Sequence, residues 1–290
     1  MSIRTDLALE ACEFAGEIVP EGVNKQIETR EGVTVTTVSI TDDHGAKILG
    51  KPIGKYITFE IDSLKNISEN FEGEVETITE GIASLLPKEG LILVAGLGNS
   101  DITPDALGPH TIDQTLATRH IATDLQEYED LQKLRPVAAI SPGVMGRTGI
   151  ETAEIIHCLC NEIEPKAIIV VDALASRSVD RLGRTVQVSD TGISPGSGVQ
   201  NSRKEISQET LGLPVISVGV PTVVDMTTVA YELLGEGMSS EKVSERGRTM
   251  MVTPREIDTI IKQAAKLVAC SINKALQPML SMEEIVGLTG

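Results

Sequence analysis

Five apolar residues in a row, Leu91 to Ala95, run straight into a loop built to turn, and this junction constrains the fold more than any other stretch. An unbroken apolar run of that length is a strand buried on both faces, as in a parallel sheet covered by helices on each side. Gly96 and Gly98 then let the backbone turn sharply and leave room for another group to approach. Asn99 bonds its own backbone, and Pro104 suits the first turn of a helix. Asp105 is thereby expected at the mouth of the sheet, in the first turn of the helix that follows. In an open α/β sheet, ligands bind in the crevice beyond the carboxyl ends of the strands.

A second stretch has the same form: the apolar run Ala167 to Val171 is followed directly by Asp172. Either aspartate alone reads more readily as a helix cap. Two of them, each followed by Ala-Leu and each at a strand end, point toward a site. Val137 to Ile140 and Val215 to Val220 supply two further buried strands, the latter followed by PTVVD with Asp225 as a third acidic group at the same edge. A helix over Glu151 to Glu164 links the third strand to the one carrying Asp172, as a right-handed crossover requires.

The N-terminal third has a different rhythm. Val33 to Ile40 and Tyr56 to Ile61 alternate β-branched and polar residues, which predicts antiparallel, half-buried strands in a β-rich portion over about residues 30–62, with turns at His44-Gly45 and Pro52 to Gly54. Before it, Thr5 or Asp6 to Ala15 reads as a short amphipathic helix. Helical spacing begins at Glu74, continues from Ala106 toward Thr118 after Asp105, and closes the chain in a long helix from Pro254 to Leu276. The expected fold class is α/β: a central, mostly parallel twisted sheet flanked by helices, with the antiparallel portion at the N-terminus.

Charge and composition remove several functions. The chain has 42 acidic and 25 basic residues, a net charge of −17, which disfavours binding to a phosphate backbone. Three Phe, three Tyr and no Trp leave no stacking platform for single-stranded nucleic acid. No run of about 18 apolar residues and no basic-then-apolar start directs the chain to a membrane, so a cytoplasmic location is expected. His157, Cys158 and Cys160 lie close in sequence, but residues two apart on a helix face different ways, and buried helix thiols are expected there, not a metal cluster. The loop SPGVMGRTG lacks the lysine and glycine order of a phosphate cradle. A nucleotide-binding module remains an alternative, prompted by strand, G-x-G and helix, although Asp101 and Asp105 stand where a pyrophosphate would sit. His110 reads either as a titrating group near a carboxylate or as a surface imidazole.

Taken together, GLGN, TPDALGP, SPGVMGRTGIET, VDALASRS, SDTGISPGSGV, RKEIS, PTVVD and MVTP resemble, in one order from Arg4 to about Ala275, the germination proteases of spore-forming bacteria. Those are endopeptidases that degrade small acid-soluble spore proteins. The resemblance implies a fold like that of the hydrogenase-maturation proteases, an atypical aspartic mechanism, no cofactor and no metal. Its two essential aspartates match Asp105 and Asp172. Two carboxyls close enough to share a proton cannot both ionise easily, so one serves as acid and the other as base for water.

The resemblance also implies a zymogen that cuts itself at an acidic residue followed by a bulky apolar one and Ala, with a further acidic residue soon after. TDLALEACEF fits, which puts the scissile bond at Asp6–Leu7, with residues 1–6 a propeptide and 7–290 one peptidase domain. Self-cleavage is expected to speed up as the pH falls below neutral. Small acid-soluble spore proteins are the expected substrate, a homotetramer the expected assembly, and the forespore and spore core the expected location, with no direct nucleic-acid or membrane partner. Arg177, which otherwise reads as a surface charge, and the bare loop Asp190 to Val199, with Gly196, Ser197 and Gly198, which otherwise reads as a plain connection, are expected to hold substrate, the loop by pairing with an extended peptide. If one aspartate of the pair is structural, Asp101, Asp190 or Asp225 takes its place. The region 232–249 is much shorter than the charged insertion of other members. A related alternative is a maturation endopeptidase that recognises a bound metal, with Asp105 and Asp172 as ligands.

Overall fold

In a computed structural model, which describes residues 5–61, 63–66, 68–121, 133–195, 203–234 and 244–289, each apolar run named above becomes a strand of one sheet. The strands are β1 (Val23–Arg30), β2 (Val33–Ile40), β3 (Gly54–Glu60), β4 (Ile92–Gly96), β5 (Val137–Ile140), β6 (Ala167–Ser176), β7 (Thr185–Ser189), β8 (Val215–Asp225) and β9 (Met251–Val252). The order is β1-β2-β3-β7-β8-β6-β4-β5, with β9 against β8. Strands β5, β4, β6 and β8 run parallel to one another. Strand β7 lies antiparallel to both β8 and β3, and so joins the antiparallel β1-β2-β3 meander to the parallel centre in a continuous sheet.

The helices are α1 (Ala8–Phe14), α2 (Asp43–Leu49), α3 (Phe71–Ala83), α4 (Leu107–Ile112), α5 (Met145–Thr148), α6 (Thr152–Ile163), α7 (Gln208–Leu211), α8 (Met226–Leu234), α9 (Ile257–Leu276) and α10 (Met282–Thr289). The two-residue period of the strands decides which helix meets which face. Ile92, Val94, Ile169, Val171, Ile216 and Val218 pack beneath α3, α4 and α9. Leu93, Ala95, Ile168 and Val170 face the other way, onto Ala153, Ile156 and Cys160 of α6. On that second face the antiparallel wing is covered separately, by Ala8 and Cys12 of α1 on Val38, Ile40, Leu49 and Tyr56. Two covered patches therefore leave a gap between them over β6, β8 and β7, and that gap holds the site. Each fully buried Ile or Leu in these layers contributes about 1.5–3 kcal/mol. Among the described residues no helix is long and apolar enough to cross a membrane.

The structure departs from the sequence-based expectations at particular places. Asp172 does not follow its strand but lies within it, because β6 continues to Ser176; this removes the helix-cap role. Strand β8 likewise runs through Pro221 to Asp225, and the register slips between Leu174 and Ala175, beside the pairing of Leu174 with Pro221, which has no N–H to give. A short helix, α2, occupies the expected turn at His44, started by Asp42 accepting the Gly45 N–H at 2.8 Å. Strand β1 carried no expectation, since past Val23 its side chains are mostly exposed at the sheet edge. Helix α4 stops at Ile112, short of Thr118. The thiols on α6 divide: Cys160 is buried and Cys158 is exposed.

Candidate active site

Asp105 is held by a loop tied to two strands. The Leu97 N–H donates to the Val171 carbonyl of β6 at 2.8 Å, and Thr222 of β8 donates its hydroxyl to the Pro104 carbonyl at 2.8 Å. Between these ties the chain makes a single 3-10 turn, Thr103–Asp105, in which Asn99 N–H donates to the Asp105 carboxylate at 2.9 Å and to its carbonyl at 3.1 Å. Gly98 makes this closure possible. Its φ is +108°, and a side chain there would fall on the Asp105 carbonyl oxygen. The spacing G-x-G-N to Asp105 thus encodes a carboxylate tethered back onto its own loop.

Asp172 comes from the sheet itself. In register it lies beside Gly219 of β8, and Gly219 in turn lies beside Gln187 of β7. Paired residues on neighbouring strands point to one face, so Asp172 and Gln187 flank the Gly219 position, where the Leu174 side chain packs against the strand. The Asp172 side chain is 6% exposed and takes the N–H of Ala173 at 2.9 Å. Burial pushes its pKa well above the ordinary carboxylate value, and the neighbouring charges of Asp105 and Asp6 push the same way against Arg203. Burial also raises Asp105, but the Asn99 N–H and the Arg203 guanidinium oppose it. The environments are unequal: Asp172 is the group that keeps its proton, and Asp105 is the one more readily ionised.

Both aspartates line a cleft of about 910 Å³, bounded by Val144 and Thr152 on one side and by α1 and α2 on the other. The N-terminal segment lies in it. Asp6 pairs with Ala175 of β6 in both directions, its N–H donating to the Ala175 carbonyl at 2.9 Å and its carboxylate accepting the Ala175 N–H at 2.8 Å. Lys51 donates from Nζ to the Thr5 carbonyl at 2.8 Å; burial lowers its pKa, while Asp6 and Glu10 pull it back up. The side-chain amide of Gln187 bonds the Asp6 carbonyl at 3.1 Å and the Ala8 N–H at 2.8 Å. Leu7 and Ala8 are fully buried. Downstream, Glu10 accepts the N–H groups of Arg177 and Ser178 at 2.7 and 3.0 Å, a hydroxyl from Thr5, and faces Arg181, whose guanidinium also holds Glu13 at 2.9 Å and Glu60 at 3.0 Å.

The other residues singled out in the sequence fall as follows. The Arg177 guanidinium stacks over the Phe14 ring at 4.4 Å, so it is the main chain of Arg177, and the side chain of Arg181, that meet the segment's carboxylates. Gly196, Ser197 and Gly198 lie outside the described residues. Asp101 pairs with Arg147 at 3.0 Å on the surface, Asp190 accepts the Lys55 N–H at 2.7 Å, and Asp225 caps α8 by accepting the Thr227 N–H at 2.7 Å. His110 faces Asp113 at 3.7 Å, and Asn161 lies beside the His157 ring at 3.4 Å. Among the described residues no group of three or more His, Cys, Asp and Glu side chains is arranged to hold a metal ion. Sequence reasoning missed Lys51, Arg181, Gln187 and Arg203. Of these, Arg203 opens the RKEIS motif, and Gln187 is the one long polar side chain in an otherwise β-branched and small strand, TVQVS.

Comparison with known proteins agrees with the sequence motifs. The germination protease family profile matches residues 12–235. The germination protease of Caldanaerobacter subterraneus subsp. tengcongensis is 43% identical, over 98% of this chain and 97% of that protein. That of Clostridium perfringens is 40% identical over 98% of each, and that of Bacillus mycoides 36% identical over 97% and 95%. The first of these alignments spans 319 positions against 290 residues here, so that relative carries residues this chain lacks. Among solved structures, a [NiFe] hydrogenase maturation protease from Thermococcus kodakarensis matches 67% of this chain and 99% of its own, with 16% identity and a TM-score of 0.38.

Proposed function

The chain belongs to the germination protease family, whose members are endopeptidases, and we propose that Asp105 and Asp172 hydrolyse peptide bonds as an acid–base pair, first of all Asp6–Leu7 of the chain itself. Asp105, ionised, takes a proton from water as the water oxygen attacks the Asp6 carbonyl carbon. Asp172, protonated, gives its proton to the Leu7 nitrogen as the C–N bond breaks. The products are a new carboxylate on Asp6 and a free amine on Leu7. The proton balance is closed by exchange between the two carboxyls and solvent. No covalent intermediate enters this scheme.

One observation carries the proposal: the segment that fits the cleavage pattern enters the same cleft as both aspartates, with Leu7 in extended backbone ahead of α1 and the main chain bonded to Ala175 and Gln187 on either side of Asp6–Leu7. After loss of residues 1–6 the cleft is open to small acid-soluble spore proteins, the substrate we assign to the mature domain of residues 7–290. We place this chemistry in the spore core, in a homotetramer.

The test is the intact mass of the purified chain held at mildly acidic pH, beside Asp105→Asn and Asp172→Asn. Loss of Met1 to Asp6 from the unaltered chain alone supports the pair. Processing by either variant removes that aspartate from the mechanism. An unaltered chain that stays whole, with a chain starting at Leu7 that leaves a small acid-soluble spore protein intact, overturns the proposal.

A further inference from the structure

The Gln187 amide spans the Asp6–Leu7 bond, and from this we infer that Gln187 positions the scissile peptide and stabilises the oxyanion formed on it, an inference that rests on the cleavage proposed above. Its Nε2 donates to the Asp6 carbonyl oxygen at 3.1 Å, and its Oε1 accepts the Ala8 N–H at 2.8 Å. The two contacts have opposite polarity and therefore fix the orientation of the amide. Turned over, it would set oxygen against oxygen and N–H against N–H.

The scaffold makes this a rigid clamp. Gln187 is 6% exposed at the middle of β7, paired in register with Thr58 of β3 on one side and Gly219 of β8 on the other. Val186 and Val188 anchor the strand in the core on the opposite face. Gly219 lies in register between Gln187 and Asp172, and the Leu174 side chain packs over it, so the clamp and the acid stand on one face of the sheet on either side of Leu174. A site on a central strand holds its geometry better than one on a loop.

When water adds to the Asp6 carbonyl carbon, the C–O double bond becomes single and the negative charge gathers on the oxygen that Nε2–H already addresses. That hydrogen bond strengthens as the charge develops. On collapse, the electron pair of the C–N bond passes to the Leu7 nitrogen, which takes the Asp172 proton, while Oε1 still holds Ala8 and keeps the leaving side aligned. A neutral donor is suited to this place, because it adds no positive charge to draw the proton off Asp172.

Two variants of the full chain test the inference through the first-order rate of self-cleavage, followed by intact mass from pH 5 to 8. Gln187→Met keeps length and removes both contacts. It should slow cleavage by about a hundredfold or more at every pH, the loss typical of one oxyanion donor. Gln187→Glu restores a donor only when its carboxyl is protonated, so its rate relative to the unaltered chain should climb as the pH falls, while the Gln187→Met ratio stays flat. Both variants within twofold of the unaltered chain, or both reduced equally with no difference in pH dependence, would overturn the inference and leave the Asp105–Asp172 proposal standing. Absence of cleavage in the unaltered chain would overturn that proposal, and this inference with it.

Discussion

Glu10 sets one carboxylate oxygen 2.7 Å from the main-chain nitrogen of Arg177. Its other oxygen takes the Ser178 N–H at 3.0 Å, and Arg181 stands 3.5 Å away, so the acidic residue downstream of Asp6–Leu7 is read by backbone and guanidinium together. The carboxylate is 4% exposed. Hydrogen bonds to a charged group that is shielded from water contribute about 1.5–3 kcal/mol each. Glu10→Ala should therefore free the segment. Hydrogen exchange of the amides from Ala8 to Phe14 should accelerate, and self-cleavage should slow by at least about tenfold, or 1.4 kcal/mol. An unchanged cleavage rate would show that Glu10 does not help to seat the scissile bond.

Gly98→Ala should disable the site through the backbone that carries Asp105. A methyl group there meets the Asp105 carbonyl, and φ of +108° is closed to residues with a side chain. The combined strain is on the order of 2–3 kcal/mol and falls on the turn that carries Asp105. Gly146→Ala is the matched control. Gly146 lies in α5 with open space where a methyl group would project, and the change should be neutral or stabilise by up to about 1 kcal/mol. Thermal unfolding and self-cleavage measured side by side decide the matter. Equal behaviour of the two variants would mean that the loop tolerates a side chain.

Asp172→Asn should stabilise the fold, and increasingly so as the pH rises. Burial lifts the Asp172 pKa in the folded chain well above its unfolded value. Below the unfolded value the carboxyl is neutral in both states and contributes no difference. As the pH climbs through that value toward the folded one, the unfolded chain releases the proton first, and folding loses about 1.4 kcal/mol for each unit of separation. Asparagine removes this term. The midpoint of thermal unfolding of Asp172→Asn should match the unaltered chain near pH 4 and exceed it at pH 7 to 8. A difference independent of pH would mean that the carboxyl is solvated in the folded protein.

Asp105 was legible because the turn that carries it is written within a few residues, in an apolar run, Gly98, Asn99 and Pro104, although the ties of that loop to Val171 and Thr222 were not. Asp172 was legible as a group at the sheet edge but not in its surroundings. VVDALAS reads locally as a strand end and a helix start, whereas pairing with β8 carries the strand on to Ser176 and buries the carboxyl. Tertiary pairing overrides local preference in such cases. Gln187 was not legible at all, since its place opposite Asp172 depends on Gly219 lying between them, a fact of register among three strands. Arg181 rather than Arg177 faces Glu10 because the 3-10 turn Val179–Arg181 swings it there, and such a turn leaves little periodicity to read.

The pH dependence of self-cleavage follows from the same pair of carboxyls. In the proposed mechanism the active form carries one proton, on Asp172, with Asp105 ionised. Both pKa values are raised, that of Asp172 the more strongly, so this form occupies the interval between them. Going down from alkaline pH, the rate should rise as Asp172 gains its proton, hold through mildly acidic pH, and fall once Asp105 is protonated as well. A chelator or added zinc should leave the profile where it is, because in this scheme the water is activated by a carboxylate. Intact-mass time courses across pH, with and without chelator, check both statements. A rate flat from mildly acidic to neutral pH would count against the shared-proton pair, and loss of activity on chelation, restored by metal, would turn Asp105 and Asp172 from base and acid into ligands.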